Sequence, residues 1–294
     1  MRLQNMPHAE LSLIEQLNTN SDPYHDPLKH LNWGELSTDD FWLPESAVSL
    51  TGVPEYESLP ESTRKRLSQY EFIGFTQAGL WLESIFMERL GRSLKNTLGL
   101  AEHAYYLHEI REEAGHSLMF LKLMETSGLR LPHIWQRRPK FADFIGRNTP
   151  VSTTLFWLAV VVGEEVPDKM NRHVRVHGEK SINPLIRQMC TLHIIDEARH
   201  IAHARSALVD SLNSKGLVTR LMLTPVVNYL LKQFVNTFYL PTPEVYELAG
   251  LTPGKNWVGK ARRNLQRQTF IAQCVNPTLN FLSEQGFKLD VPKL

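Results

Sequence analysis

Cysteine is nearly missing from this chain of 294 residues: Cys190 and Cys274 are the only two. They lie in no paired spacing, which leaves no basis for a disulfide framework or a thiolate metal site. An excess of one charge is missing too. The 32 Lys and Arg face 31 Asp and Glu, so no net field draws the chain to polyphosphate or to an acidic membrane, and neither nucleic acid nor membrane is an expected partner. Long hydrophobic runs are absent: the longest, 155–162, has eight residues, whereas a spanning helix needs about 20. Glu10 and Glu15 stand among short apolar runs near the N-terminus. That is not the basic-then-apolar pattern of a secretory signal, and a cytoplasmic protein is expected. Strand-like alternation is scarce, and no solenoid-period repeat or low-complexity tract is visible.

What is present is enough apolar sequence for a sizeable core, 42% of the residues, and 12 histidines. Residues 1–60 are rich in Pro, Asn, Asp and Ser and read as an irregular arm with short helical pieces, packed on a helical domain over 61–294. From Glu61 onward helix-period spacing takes over. It predicts long helices over about 61–98, 100–126, 152–176 and 183–212, then segments over 217–239 and 255–285, with 132–150 as a connection. The expected fold is all-α, a bundle of four long helices with an N-terminal arm and extra C-terminal helices.

The second and fourth helices each carry Glu-x-x-His: Glu113 with His116, and Glu197 with His200. Residues three apart share a helix face, so each pair can offer a carboxylate oxygen and an imidazole nitrogen to one ion. One such match would be weak. Here each follows a helix with a Glu embedded in apolar sequence, Glu83 in GLWLESIFMERL and Glu164 in FWLAVVVGEEVP, 30 and 33 positions earlier. That is one long helix plus a turn, which returns an antiparallel neighbour to the same depth. An unpaired carboxylate in such surroundings is costly to bury, and a metal removes the cost. Glu83 is preferred to Glu88, whose neighbours are less apolar; Glu164 and Glu165 both remain candidates on the third helix. His193, one turn before Glu197, adds a third imidazole. Asp196 can accept a hydrogen bond from the outer nitrogen of a ligating histidine. His203, His103, His108, His173 and His177 read as structural or exposed. Two Glu plus two Glu-x-x-His is the dinuclear carboxylate arrangement of ferritin-like bundles, and oxygen with imidazole donors suits iron or manganese.

With REEAGHSLMF, LHIIDEARHIAHAR, WLESIF and VVVGEEV on the page, the chain resembles the p-aminobenzoate N-oxygenase family of non-haem di-iron enzymes over about residues 42–289. The third histidine sets that family apart from the ribonucleotide reductase small subunit and the bacterial multicomponent hydroxylases, which share the paired Glu-x-x-His. The resemblance implies two iron ions held by Glu83, Glu113, His116, Glu164, His193, Glu197 and His200, with manganese as a substitute and O2 as co-substrate. It implies oxidation of an arylamine to its hydroxylamine, nitroso or nitro form, in a homodimer. No Gly-x-Gly-x-x-Gly fingerprint is present, so electrons are expected from a separate donor protein or small reductant. Arg92, Arg137 or Arg138 could orient a substrate carboxylate. Two rivals share the ligand pattern: a hydroxylase or desaturase of aliphatic or carrier-bound molecules, and a ferritin-like iron-storage protein, which should form a large cage.

Overall fold

The computed structural model describes residues 11–96, 99–133 and 138–292. Among these the secondary structure is helical throughout, and the four long helices lie where the periodicity puts them: α4 (Glu61–Ser93), α5 (Leu100–Ser127), α7 (Thr154–His177) and α8 (Pro184–Asn213). Before them come α1 (Leu13–Ser21), α2 (Pro27–His30) and α3 (Pro54–Glu57), and between them α6 (Lys140–Asn148). After them come α9 (Leu217–Tyr239), α10 (Pro243–Leu248), α11 (Gly254–Arg263) and α12 (Leu265–Glu284). No helix among the described residues is long and apolar enough to cross a membrane.

Local chemistry sets the ends of the long helices. Gly128 takes a left-handed φ of 61° to close α5, a conformation in which a Cβ would be strained. The Thr153 side chain caps α7 by accepting from the Phe156 amide. Asn183 caps α8 by accepting from the Leu185 amide, with Pro184 pre-set for the first turn. The Asn183 amide also donates to Glu35 O and to Asp40 Oδ2, at 2.8 and 2.9 Å, so the N-terminal segment is tied to the start of α8.

Helix α7 packs chiefly on α8 and α4 on α5, and α9 and α12 cover α7. Within the first pair the depths match: Glu164 is 13 residues before the end of α7 and Glu197 is 13 residues after the start of α8. At about 1.5 Å per residue both stand roughly 20 Å from their connecting turn. The core between the helices is dense with aromatic and branched side chains, including Phe72, Trp81, Phe86, Phe156, Val161 and Phe234.

Two expectations are corrected. The stretch read as a plain connection, 132–150, contains α6; its apolar side sends Ala142 and Ile145 inward, and Asp143 accepts from the Trp81 indole at 2.7 Å. The segment read as one helix over 255–285 is two, broken at Asn264. The Asn264 carbonyl oxygen of the side chain caps α12 through the Gln266 amide, and its Nδ2 donates to Ser49 O and Thr51 O. A side chain that satisfies the backbone of a distant loop holds its own residue in extended geometry, and a continuous helix cannot pass through it.

Candidate metal centre

At mid-depth of the bundle the four long helices deliver all seven candidate ligands to one place, all buried. They form two adjoining groups, Glu83 with His116 and His193, and Glu113 with Glu164, Glu197 and His200; within each group one donor atom per residue lies within 4.8 Å of the others. The Glu-x-x-His glutamates join the groups. Glu113 sets Oε2 3.5 Å from His116 Nδ1 and Oε1 3.3 Å from His200 Nδ1. Glu197 sets Oε1 3.5 Å from His193 Nε2 and 3.6 Å from His116 Nδ1, and Oε2 3.6 Å from His200 Nδ1. Glu83 faces the imidazoles of the first group, with Oε1 3.5 Å from His193 Nε2 and Oε2 3.8 Å from His116 Nδ1.

Those separations are longer than the usual 2.7–3.2 Å of a hydrogen bond and near the roughly 3 Å between donors that each bond one ion at about 2.1 Å. Glu83 Oε2, Glu113 Oε1, His116 Nδ1, Glu164 Oε1, Glu197 Oε2 and His200 Nδ1 are all buried with no hydrogen-bond partner. Buried polar atoms are normally satisfied. Six orphans converging on one point are the mark of a site built for cations, and four carboxylates balance two divalent ions. The residues therefore fit a dinuclear metal group of the iron or manganese type.

Each inner imidazole is held from behind by the opposite helix. His116 on α5 donates Nε2–H to Asp196 Oδ2 on α8 at 3.1 Å, and His200 on α8 donates Nε2–H to Glu112 Oε2 on α5 at 3.0 Å. Both rings thus turn Nδ1 toward the centre. Arg199 ties the two carboxylates together, donating to Asp196 Oδ1 at 2.5 Å and to Glu112 Oε1 at 2.8 Å. His193 is oriented by Asn171, whose amide lies 3.1 Å from its Nδ1. Asp196 is the carboxylate that the sequence points to. Glu112, Arg199 and Asn171 escaped the sequence reading, although Glu112 had a signal: in both motifs an acidic residue stands immediately before the glutamate. Removing the Glu112 carboxylate (Glu112→Ala) should weaken metal binding by about 10–100-fold, read as the metal concentration needed for half-saturation.

The electrostatics are those of a cluster held together by protons. Burial, then the Glu113 charge, raises Glu83 well above the carboxylate range, and burial with Glu197 does the same to Glu164. Burial opposes ionisation of Glu113 and Glu197 as well, but neighbouring imidazoles outweigh it and hold both low. Burial also works against a charge on His116, yet its hydrogen bond to Asp196 and the neighbouring Glu113 carboxylate lift it to about 10. His193, where burial and the nearby His116 act together, is pushed down to about 4.

Geometry separates the two candidates on α7. Glu164 faces Glu113, Glu197 and His200. Glu165 turns away, paired with Arg205 and accepting from the Thr278 hydroxyl at 2.9 Å. Their conservative variants should differ accordingly. Glu164→Gln is expected to lose about one metal per chain with the fold intact, whereas Glu165→Gln should keep both metals and lose about 1–3 kcal/mol of stability. Metal analysis beside urea unfolding checks both. Glu88 is likewise engaged elsewhere, accepting from Arg147 and pairing with Arg92.

A narrow cavity opens beside the centre, walled by Phe75, Phe86, Phe120 and Phe238 with Gly79, and floored by Glu83, Glu164 and His193. A Cβ at Gly79 would lie 2.7 Å from the Phe120 ring, so glycine is what lets that ring lie over His193, 5.6 Å between centroids. Of the arginines that could orient a substrate carboxylate, the two described ones, Arg92 and Arg138, do not line this cavity. Arg92 lies at the surface against Glu88, Arg138 is exposed, and Arg137 falls outside the described residues.

The sequence profile described as P-aminobenzoate N-oxygenase AurF matches residues 9–286. Uncharacterized proteins of Mycobacterium bovis and Mycobacterium tuberculosis are 24% identical over 238 residues, which is 78% of this chain and 67% of theirs. Among solved structures, an R2-like ligand-binding oxidase with aerobically reconstituted Mn/Fe cofactor superposes with a TM-score of 0.57 at 13% identity, covering 96% of this chain and 93% of that one. A variant of such an oxidase, with anaerobically reconstituted Mn/Fe cofactor, gives 0.59 at 13% identity over 93% and 92%. At that identity the likeness is one of fold, the all-α ferritin-like bundle.

Proposed function

Because this chain belongs to the p-aminobenzoate N-oxygenase AurF family, and is thereby an O2-dependent oxidoreductase, we propose that it inserts oxygen into the N–H bond of a small arylamine at a di-iron centre. The seven ligands are those named above, manganese can replace iron, and the working form is a homodimer. The observation that carries the reading is the join between the two groups of buried donors and the ring-walled cavity beside them. When bound, the metal pair supplies a site where O2 is reduced.

The chain's own residues do the rest. Phe75, Phe86, Phe120 and Phe238 offer faces and edges to an aromatic ring and keep water from the reacting nitrogen. Asp196 and Glu112 hold the Nε2 protons of His116 and His200, so the Nδ1 lone pairs stay available. One oxygen atom ends in the N–OH bond and the other leaves as water, which requires two protons and two electrons from a separate donor protein or reductant for each hydroxylamine formed. Repetition leads to nitroso and nitro products.

The test is to load the chain anaerobically with Fe(II), add O2 with p-aminobenzoate or aniline, and analyse products by mass. Hydroxylamine or nitro products carrying label from ¹⁸O2 are expected. O2 consumption with arylamines untouched would overturn the substrate assignment and move the search to aliphatic or carrier-bound molecules. A sizing column checks the dimer; a large cage would favour iron storage.

A further inference from the structure

The side of α5 turned away from the core is apolar along its length. Leu100 is 90% exposed, Leu107 and Leu118 50% and Leu121 48%, and half-buried Ile110 and Ala114 lie between them. At 100° per residue Leu100, Leu107, Ile110, Leu118 and Leu121 all fall within about 40° of Ala114, whereas Tyr105, Glu112, His116, Met119 and Leu123 are buried on the opposite side. A helix face left in water is normally polar. A continuous apolar stripe on one marks a contact surface.

The stripe reads the same in both directions. Leu107 and Leu121 stand seven residues either side of Ala114, Ile110 and Leu118 four, and Leu100 and the glycine that closes the helix, Gly128, fourteen. Ala114 is also the midpoint of α5 (Leu100–Ser127) to within a residue. A two-fold axis asks for such symmetry, since a surface that pairs with itself sets residues at equal distances from the axis against each other. Two antiparallel copies meeting at Ala114 overlap from end to end, and the small Ala114 side chain lets the helices close. Leu107 then faces Leu121, Ile110 faces Leu118, and Leu100 lies over Gly128, where no atom stands within 4 Å of an added Cβ. Charge fixes the direction. His103 and Glu125, eleven residues either side of Ala114, lie within about 20° of it on the same face. Antiparallel pairing sets each His103 against the partner's Glu125, whereas a parallel pair would set Glu125 against Glu125.

We propose that this face of α5 is where two copies of the chain pair, antiparallel about a two-fold axis at Ala114. The inference deepens the homodimer reading given above and rests on it. The paired helices cover a strip about 42 Å long and about 10 Å wide, roughly half of the 800 Å² that each partner of a stable complex buries. The N-terminal arm widens it. Helices α1 and α2 pack along α5, and α2, whose Pro27 lies 3.5 Å from a Cβ built on Gly115, brings exposed Leu28 to that flank. The same helix carries buried Glu113 and His116, so pairing backs the element that supplies two candidate ligands to the metal centre.

Sedimentation velocity of the full chain tests the pairing, and the unaltered chain is expected to run as a dimer at micromolar concentration. Leu107→Glu or Leu121→Lys alone buries a charge against the partner's leucine and should raise the dimer dissociation constant by at least about 100-fold. Combined in one chain, the two new charges meet across the axis and should recover most of the affinity. Both positions are exposed, so helical content by circular dichroism should hold in every variant. Ala114→Cys, on the axis, should join two chains through a disulfide under mild oxidation, whereas Leu100→Cys, roughly 42 Å from its mate, should not. The native Cys190 and Cys274 are buried. A dimer that ignores both charged variants and leaves the Ala114→Cys chain unlinked overturns this face and keeps the homodimer. An unaltered chain that stays monomeric at tens of micromolar overturns the homodimer reading and this pairing together.

Discussion

Substituting Ala for Glu113 is expected to abolish binding of both metal ions, where Glu83→Ala removes only one. The asymmetry comes from what each carboxylate faces. Glu113 presents one oxygen to His116 and the other to His200, at 3.5 and 3.3 Å, so it belongs to both halves of the cluster; the imidazoles nearest Glu83 are His116 and His193, both of the first half. Losing a shared ligand also removes one of the four carboxylates and half of the charge shared between the two groups, because Glu197 would remain as the one carboxylate facing both. The expected result, by elemental analysis after anaerobic reconstitution, is less than about half a metal ion per Glu113→Ala chain, and no O2 consumption above background. Helical content by circular dichroism should be unaltered, since the helix itself gains by a change to alanine. Retention of two ions would show that Glu113 is no bridge.

The second large effect is on stability. Without metal, the chain is expected to become progressively less stable as pH rises from about 6.5 toward 10, and metal ions should cancel that loss. The sign follows from the groups whose folded values are raised. Glu83 and Glu164 are held well above the ordinary 4.5, by burial first and by neighbouring carboxylates second. The His116 imidazole, lifted by Asp196 and Glu113 against the pull of burial, reaches about 10 from an ordinary 6.5, and His200 is raised well above 6.5 by Glu112 and Glu113. A raised group stabilises the fold fully below its unfolded value, and that stability disappears as pH passes its folded value. At about 1.4 kcal/mol for each tenfold in affinity, His116 alone accounts for several kcal/mol. Glu113, Glu197 and Asp196, all held low, act in the opposite direction and matter only on the acid side.

Cations replace those protons, so loading must release protons and bind more tightly as pH rises. Thermal unfolding of metal-free and metal-loaded chains between pH 6 and about 9 checks both statements. The gap in Tm should widen with pH, and a metal-free Tm that is flat or rising over that range would contradict the picture. Calorimetry in two buffers of different ionisation enthalpy measures the released protons directly.

Much of this was readable before any coordinates, because much of it is local. The four long helices follow from apolar spacing over tens of residues, and Glu-x-x-His shares a helix face by helical geometry alone. Thirty-odd residues between a buried glutamate and the next motif is a length argument, and the matched depths of Glu164 and Glu197 on α7 and α8 bear out its logic. The break at Asn264 was not readable, since its cause is the distant loop carbonyls of Ser49 and Thr51. The choice between Glu164 and Glu165 was barely so. Adjacent residues differ by only 100° on a helix, and which direction is inward depends on where α8 and α12 sit.

The sequence by itself determined the helical class and the four-helix frame, and it put forward the candidate donors with Glu164 and Glu165 still in competition, for each of these rests on spacing within one element or on the length of one hairpin. Only the tertiary structure decided how the donors are shared and held. The sharing of Glu113 and Glu197 between the two groups, the crossing of His116 to Asp196 and of His200 to Glu112, and the ring-walled cavity all join residues that lie far apart along the chain. No periodicity encodes such meetings; they follow from which faces are left over when apolar surface between helices has been buried.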